Sequence, residues 1–173
     1  MDFQILGEET LKIKGKKVGI AVDPKEKISK FDADAIISTD NSFDPSRVND
    51  YRVIISGPGE YEVLGLKIAG IKAGDGTIYE LISENTNVLV ARSSDLENIS
   101  SDKLDNYRIV IINVNSDLKQ GIITAMEPSA VLLYGEKRQE GAKNLDGASS
   151  KSVPKISLSE DKLPEELEVT LLG

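Results

Sequence analysis

Short β-rich runs separated by turn residues recur along the whole chain, and they constrain its fold more than any other feature. Strands are predicted at DFQIL (2–6), LKIKG (11–15), KVGIAVD (17–23), AIIST (35–39), RVIIS (52–56) and YEVLGLKIAGI (61–71). Further runs are TIYELIS (77–83), NVLVARS (87–93), IVIINV (109–114), AVLLYG (130–135), KISL (155–158) and EVTLL (168–172). Leu11 and Ile13 alternate with Lys12 and Lys14, the pattern of a strand with one wet face. Residues 109–112 are continuously apolar, the pattern of a strand buried on both faces.

Helical signals are few. Residues 100–107 offer Ser100 as an N-cap and Leu104 and Tyr107 three apart. In 116–127, Leu118, Ile122 and Met126 recur every fourth residue, and Pro128 follows. Residues 44–51 predict a short helix with Pro45 at its first position. The polar, Gly- and Ser-rich stretch 135–154 reads as a mobile loop. Strands in two groups, with a helix in each half, make a sandwich with outer helices. Its 173 residues suit a single domain, 1–173.

Charge and residue usage narrow the function. A formal charge of −8, with no basic cluster beyond the KIKGKK hairpin at 12–17, argues against nucleic acid and anionic membrane as partners. No apolar run is long enough for a membrane span, and residues 1–10 lack a basic-then-apolar leader, so a cytoplasmic location is expected. The chain has no histidine and no cysteine. Zinc sites are built chiefly from imidazole and thiolate, and Ser-His-Asp and Cys-His systems need an imidazole base. Carboxylate, lysine, tyrosine and serine chemistry is what is left.

Three motifs carry weight. GPGEYEV (57–63) is followed by a strand-like run and has no GK[ST], so it is a turn rather than a phosphate loop. Glu60 and Glu62 lie on one strand face and make a poor acid–base pair. DNSFDP (40–45) imitates the start of a calcium loop, but Pro45 stands where Gly is needed and Tyr51 where Glu is needed. A turn with Asx-type hydrogen bonds is the plainer reading. SSDLENIS (93–100) reads as a cap after a strand.

In this order, these pieces resemble the metallo-β-lactamase-fold hydrolases, in particular a lactonase-like branch of small bacterial and archaeal members. The resemblance runs from Leu6-Gly7 through Asp34-Ala35-Ile36, the hairpin 57–63, Asp95-Leu96 and Pro128–Leu133 to LPEELEVTLL (163–172). It implies an α+β fold: an αββα four-layer sandwich of two mixed β-sheets with outer helices. It also implies where metal ligands would fall. The H-x-H-x-D-H motif lands on Asp40, Ser42, Asp44 and Pro45, the opening histidine on Glu8, and the bridging aspartate on Asp95. A closing histidine lands near Gly135, and a further one near Gly74-Asp75. Every imidazole is missing.

A zinc site of the family's kind is therefore not expected, and neither is its hydrolysis. The resemblance predicts that Asp44 and Asp95 converge with Asp40 nearby. Two carboxylates about 4 Å apart repel by roughly 4 kcal/mol at an effective dielectric of 20. Arg92, Arg47, Lys137 or Arg138 is expected to supply the missing charge; the alternatives are a protonated aspartate or a hard cation on Asp40, Asp44 and Asp95. The favoured expectation is a non-catalytic protein without cofactor, working through a protein partner or self-association. The alternatives are a hydrolase with a carboxylate-only Mg²⁺, Mn²⁺ or Ca²⁺ site, and a small-ligand sensor using the old cleft.

Overall fold

The computed structural model describes the chain except residues 8, 84, 85, 101, 102 and 105, with positions 149 and 150 described by their backbone. The first strands are β1 (Asp2–Leu6), β2 (Thr10–Lys14), β3 (Gly19–Val22), β4 (Phe31–Asp32) and β5 (Ala35–Ser38). A 3-10 turn at Pro45–Arg47 leads to β6 (Val48–Asn49) and β7 (Val53–Ser56). An antiparallel run follows: β8 (Gly59–Val63), β9 (Leu66–Ala73), β10 (Gly76–Ile82) and β11 (Asn87–Arg92). Helices and strands then alternate through α1 (Ser93–Leu96), β12 (Ile109–Asn113), α2 (Gln120–Met126), β13 (Ala130–Tyr134) and α3 (Arg138–Lys143). The last strands are β14 (Ala148–Val153), β15 (Lys155–Ser157) and β16 (Glu168–Leu172).

Two mixed sheets result. The six-stranded sheet runs β15-β1-β2-β3-β5-β7, and the eight-stranded sheet runs β14-β16-β13-β12-β11-β10-β9-β8. Their facing sides hold the main core, with Phe3, Leu11, Ile13, Ile20, Ile37 and Ile55 packed against Ile68, Tyr79, Leu81, Val90 and Ile111. A second core lies on the other face of the eight-stranded sheet, where Leu89, Val110, Ile112 and Leu133 meet Leu96, Ile123, Met126 and Ala142 of the helices. Because β12 and β13 are covered on both faces, all their residues are buried, as their continuous apolar runs require. They pair in parallel with each other and with their neighbours β11 and β16.

The expected sandwich is present, and several local expectations change. The run 61–71 is two strands folded at Leu64-Gly65, whose φ values of 49° and 85° are those of a type I′ hairpin turn. The helix predicted over 116–127 starts at Gln120, and Leu118 is buried just ahead of it. The helix predicted over 100–107 has residues 101, 102 and 105 outside the described part. The outer face of the six-stranded sheet carries the Pro45–Arg47 turn and the small β4–β6 ladder in place of a full helix, over a core of Ala21, Ala33, Ile36 and Val48.

The loop reading of 135–154 is corrected, because the stretch contains α3 and β14. Small residues make this possible. A Cβ on Gly141 would sit 2.8 Å from Val114 Cγ1, so the glycine lets α3 lie close to the sheet. Leu145 is buried, and β14 gains a parallel partner in β16. Tertiary pairing overrides the polar composition of this segment. Among the described residues no helix is long and apolar enough to cross a membrane.

Candidate functional site

The C-terminal ends of parallel strands from both sheets meet at one end of the sandwich, the place where sheet proteins commonly form crevices. From the six-stranded sheet come Asp23, just past β3, and Ser38, Thr39 and Asp40 at the end of β5. From the eight-stranded sheet come Arg92 at the end of β11 and Asp95 in α1. Residues Arg92, Asn113 and Tyr134 form one register row across β11, β12 and β13.

Arg92 organises the site. Its Nε donates to Asp95 Oδ2 at 2.8 Å and its Nη2 donates to Asp95 Oδ1 at 2.9 Å, a two-point pairing. Its Nη1 donates to Asp40 Oδ2 at 3.2 Å, across 52 residues of sequence and from one sheet to the other. The Arg92 side chain is 16% exposed and that of Asp95 4%. Burial alone pulls the guanidinium pKa down; the hydrogen bonds to Asp95 and the charges of Asp95 and Asp40 outweigh it, and the net shift is upward. Gly76 closes over the pair. A Cβ there would stand 2.5 Å from Asp95 Oδ2 and 2.6 Å from Arg92 Nη2.

Asp23 lies beneath. Its carboxylate is buried and accepts hydrogen bonds from Thr39 N at 2.8 Å and Thr39 Oγ1 at 2.5 Å. Burial pushes its pKa up to about 6, against the Thr39 bonds and with help from the charge of Asp40. Tyr79, from β10, bridges the sheets: its hydroxyl donates to Ser38 O and accepts from Gly57 N, both at 2.9 Å. Burial raises its pKa to about 12, so it stays a neutral phenol. The Tyr134 hydroxyl and Asn113 Oδ1 are buried with no hydrogen-bond partner among the described residues. Burial, followed by the charge of Asp23, holds the Tyr134 phenol well above its ordinary pKa.

The other sequence candidates have local duties. Asp40 Oδ1 accepts from Ser42 N at 2.8 Å, and Asp44 Oδ1 accepts from Ser46 N at 2.9 Å, the Asx-type turns expected of DNSFDP. Ser42 O accepts from Lys25 Nζ. Asp44 caps the turn that Pro45 opens and pairs with Arg47 Nε at 3.2 Å. The hydrogen bonds of Ser46, then of Arg47, hold the Asp44 carboxyl below its usual range. Asp40 meets Asp95 through Arg92, while Asp44 pairs with Arg47. Gly135 has φ +92° and lies against Asn113 Oδ1, so no side chain fits there. Gly74, φ +58°, forms the β9–β10 turn, where Lys72 Nζ donates to Asp75 O. Arg138 Nη1 donates to Gly135 O. Glu8 lies outside the described residues.

Sequence reasoning missed Asp23, Thr39, Gly76 and Tyr79. Asp23 carried a weak signal, an acid at the end of an apolar strand. Gly76 and Tyr79 become legible once the opposite sheet is in place.

These residues do not fit a zinc centre. The chain holds no imidazole or thiolate. Among the described residues no group of three His, Cys, Asp or Glu could hold a metal ion. Both Asp95 oxygens and one Asp40 oxygen already accept from Arg92.

No family model matches the chain, and no curated protein matches its sequence. Solved structures match its fold. A metallo-β-lactamase superfamily protein from Thermotoga maritima superposes with a TM-score of 0.75 at 16% identity, covering 99% of this chain and 98% of that one. A metallo hydrolase from Ignicoccus hospitalis gives 0.60 at 11%, covering 99% and 95%. The metallo-β-lactamase fold protein YhfI from Bacillus subtilis gives 0.56 at 8%, covering 98% and 95%. The chain has the metallo-β-lactamase fold.

Proposed function

We infer that this is a non-catalytic protein of the metallo-β-lactamase fold, with a binding or scaffolding role. The observation that carries the reading is Arg92, whose guanidinium is held between Asp40 and Asp95. It supplies as a fixed side chain the positive charge that the two carboxylates demand. It also uses the lone pairs that a hard cation would need, which argues against a carboxylate-only Mg²⁺, Mn²⁺ or Ca²⁺ site. The chain also has neither imidazole nor thiolate, the side chains from which a water-activating zinc site is chiefly built. A protein partner or self-association is then the role the fold would serve.

Elemental analysis of protein purified without chelator tests this. We expect no stoichiometric Zn, Mn, Mg or Ca, and no rise in melting temperature on adding any of them. One equivalent of metal that disappears in Asp95→Ala, together with turnover of lactone or phosphodiester substrates, would sink the reading in favour of a hydrolase.

One observation favours a second reading, a small-ligand sensor. The Tyr134 hydroxyl and Asn113 Oδ1, in the row that contains Arg92, are buried polar atoms without a hydrogen-bond partner among the described residues. Such atoms cost free energy unless something hydrogen-bonds to them. A thermal-shift screen separates the readings, since a ligand at 100 times its Kd adds about 2.7 kcal/mol of stability.

A further inference from the structure

The two sides of the sandwich end differently. On one side β14 passes through Pro154 directly into β15, and Pro154 O accepts from Ile5 N at 3.0 Å. On the other side β7 and β8 are the outermost strands of their sheets. Between them lies a groove of about 370 Å³, walled by Val53 and Ile55 of β7 and by Tyr61 and Val63 of β8. β7 pairs with β5 along one edge. Its sequence, VIIS, contains none of the prolines or charges that usually protect an edge strand from pairing.

Three exposed apolar side chains lie on or near these two strands, with Ile54 on the face of β7 opposite Val53 and Ile55. Tyr51, Ile54 and Leu64 are 38, 39 and 43% exposed. Leu64 lines the groove while its backbone sits at φ +49°, a conformation in which Asn or Gly costs less. An exposed leucine kept there at a conformational cost points to something that covers it. The groove also has a charge pattern, with Arg52 beside β7 and Glu62 on β8. The Arg52 side chain is well exposed, and its Nε forms a long ion pair with Asp34 Oδ1 at 3.9 Å.

We propose that this groove binds an extended peptide segment of a partner protein, which adds a strand to β7. Alternate apolar side chains of the segment fill the space between Val53, Ile55, Tyr61 and Val63. An acidic residue meets Arg52 and a basic residue meets Glu62. A second copy of the chain fits less well, because it would bring its own Glu60 and Glu62 against the same acidic strand in a molecule of net charge −8. The proposal rests on the binding role inferred above and names the kind of partner.

The test is selection of short random peptides, displayed on phage, against the intact protein, followed by synthesis of the winners with a fluorescent label. Winners should carry apolar residues at alternate positions and an acid at one end. Their amide shift changes should map to residues 53–56 and 59–64. Arg52→Glu should weaken their binding about tenfold, and exchanging the peptide's acid for lysine should recover it. The proposal is overturned if nothing is enriched, if winners ignore Arg52→Glu, or if dilution reveals a dimer whose interface shifts lie on β7. Metal-dependent turnover would instead refute the non-catalytic reading and leave the peptide result standing.

Discussion

Replacing Arg92 by methionine removes the guanidinium while keeping an unbranched apolar stem in its place. Unit charges 2.8 Å apart attract by about 6 kcal/mol at an effective dielectric of 20, a gross figure from which the desolvation of both groups subtracts. The variant reads a different quantity: the penalty of leaving Asp95, 4% exposed, without the guanidinium it shares with Asp40. Truncating one member of a buried pair costs about 3–5 kcal/mol. Arg92 retains some exposure, so we expect the lower end, about 3 kcal/mol, which for a chain of this size lowers Tm by roughly 6–12 °C. Urea unfolding at pH 7, with the slope unchanged, measures it. One control isolates the charge. Adding Asp95→Asn to Arg92→Met should recover more than half of the loss. An Arg92→Met protein within about 0.5 kcal/mol of the parent at pH 7, or a double variant no better than the single one, would refute the view that Arg92 offsets the site's negative charge.

Asp23→Asn should stabilise the protein at pH 7 by roughly 1–3 kcal/mol, because the buried acid has a folded-state pKa of about 6 against 3.8 when exposed. Between those values the folded state holds a proton that the unfolded chain has released. Parent stability should therefore fall as pH rises from 3.8 to about 6 and level off above, and Asp23→Asn should flatten that slope in urea titrations. Gly76→Ala forces a methyl against Asp95 and Arg92 and should cost about 1–3 kcal/mol. Gly121→Ala, in α2 with nothing within 4 Å of the added carbon, should instead gain about 0.5–1 kcal/mol by chemical denaturation.

Most of the strand inventory was legible because hydrophobic periodicity is a local property. Val110 and Leu132 sit in runs that no solvent-facing strand could carry, and DFQIL and EVTLL match β1 and β16 residue for residue. The stretch 135–154 was not legible. Its polar composition hides a helix and a strand that exist because Gly141 packs against Val114 and β14 borrows hydrogen bonds from β16, whose Val169 lies opposite Ala148. The first half lacked the expected outer helix because Pro45–Arg47 makes only one turn before β6 begins.

By itself the sequence determined the absences of residue type and the local turns. The chain lacks imidazole and thiolate, the side chains from which zinc sites are chiefly built, and DNSFDP makes its Asx turns from neighbours two residues apart. Tertiary structure decided which charges meet. Four basic residues were candidates to offset the aspartates, and their order along the chain does not choose among them. Arg92 was selected because β11 delivers it to the row of strand ends facing the end of β5, with α1 turning Asp95 back onto it and Gly76 leaving the space. Pairing of charges depends on distance through space, which a sequence encodes only through the packing of all its strands at once.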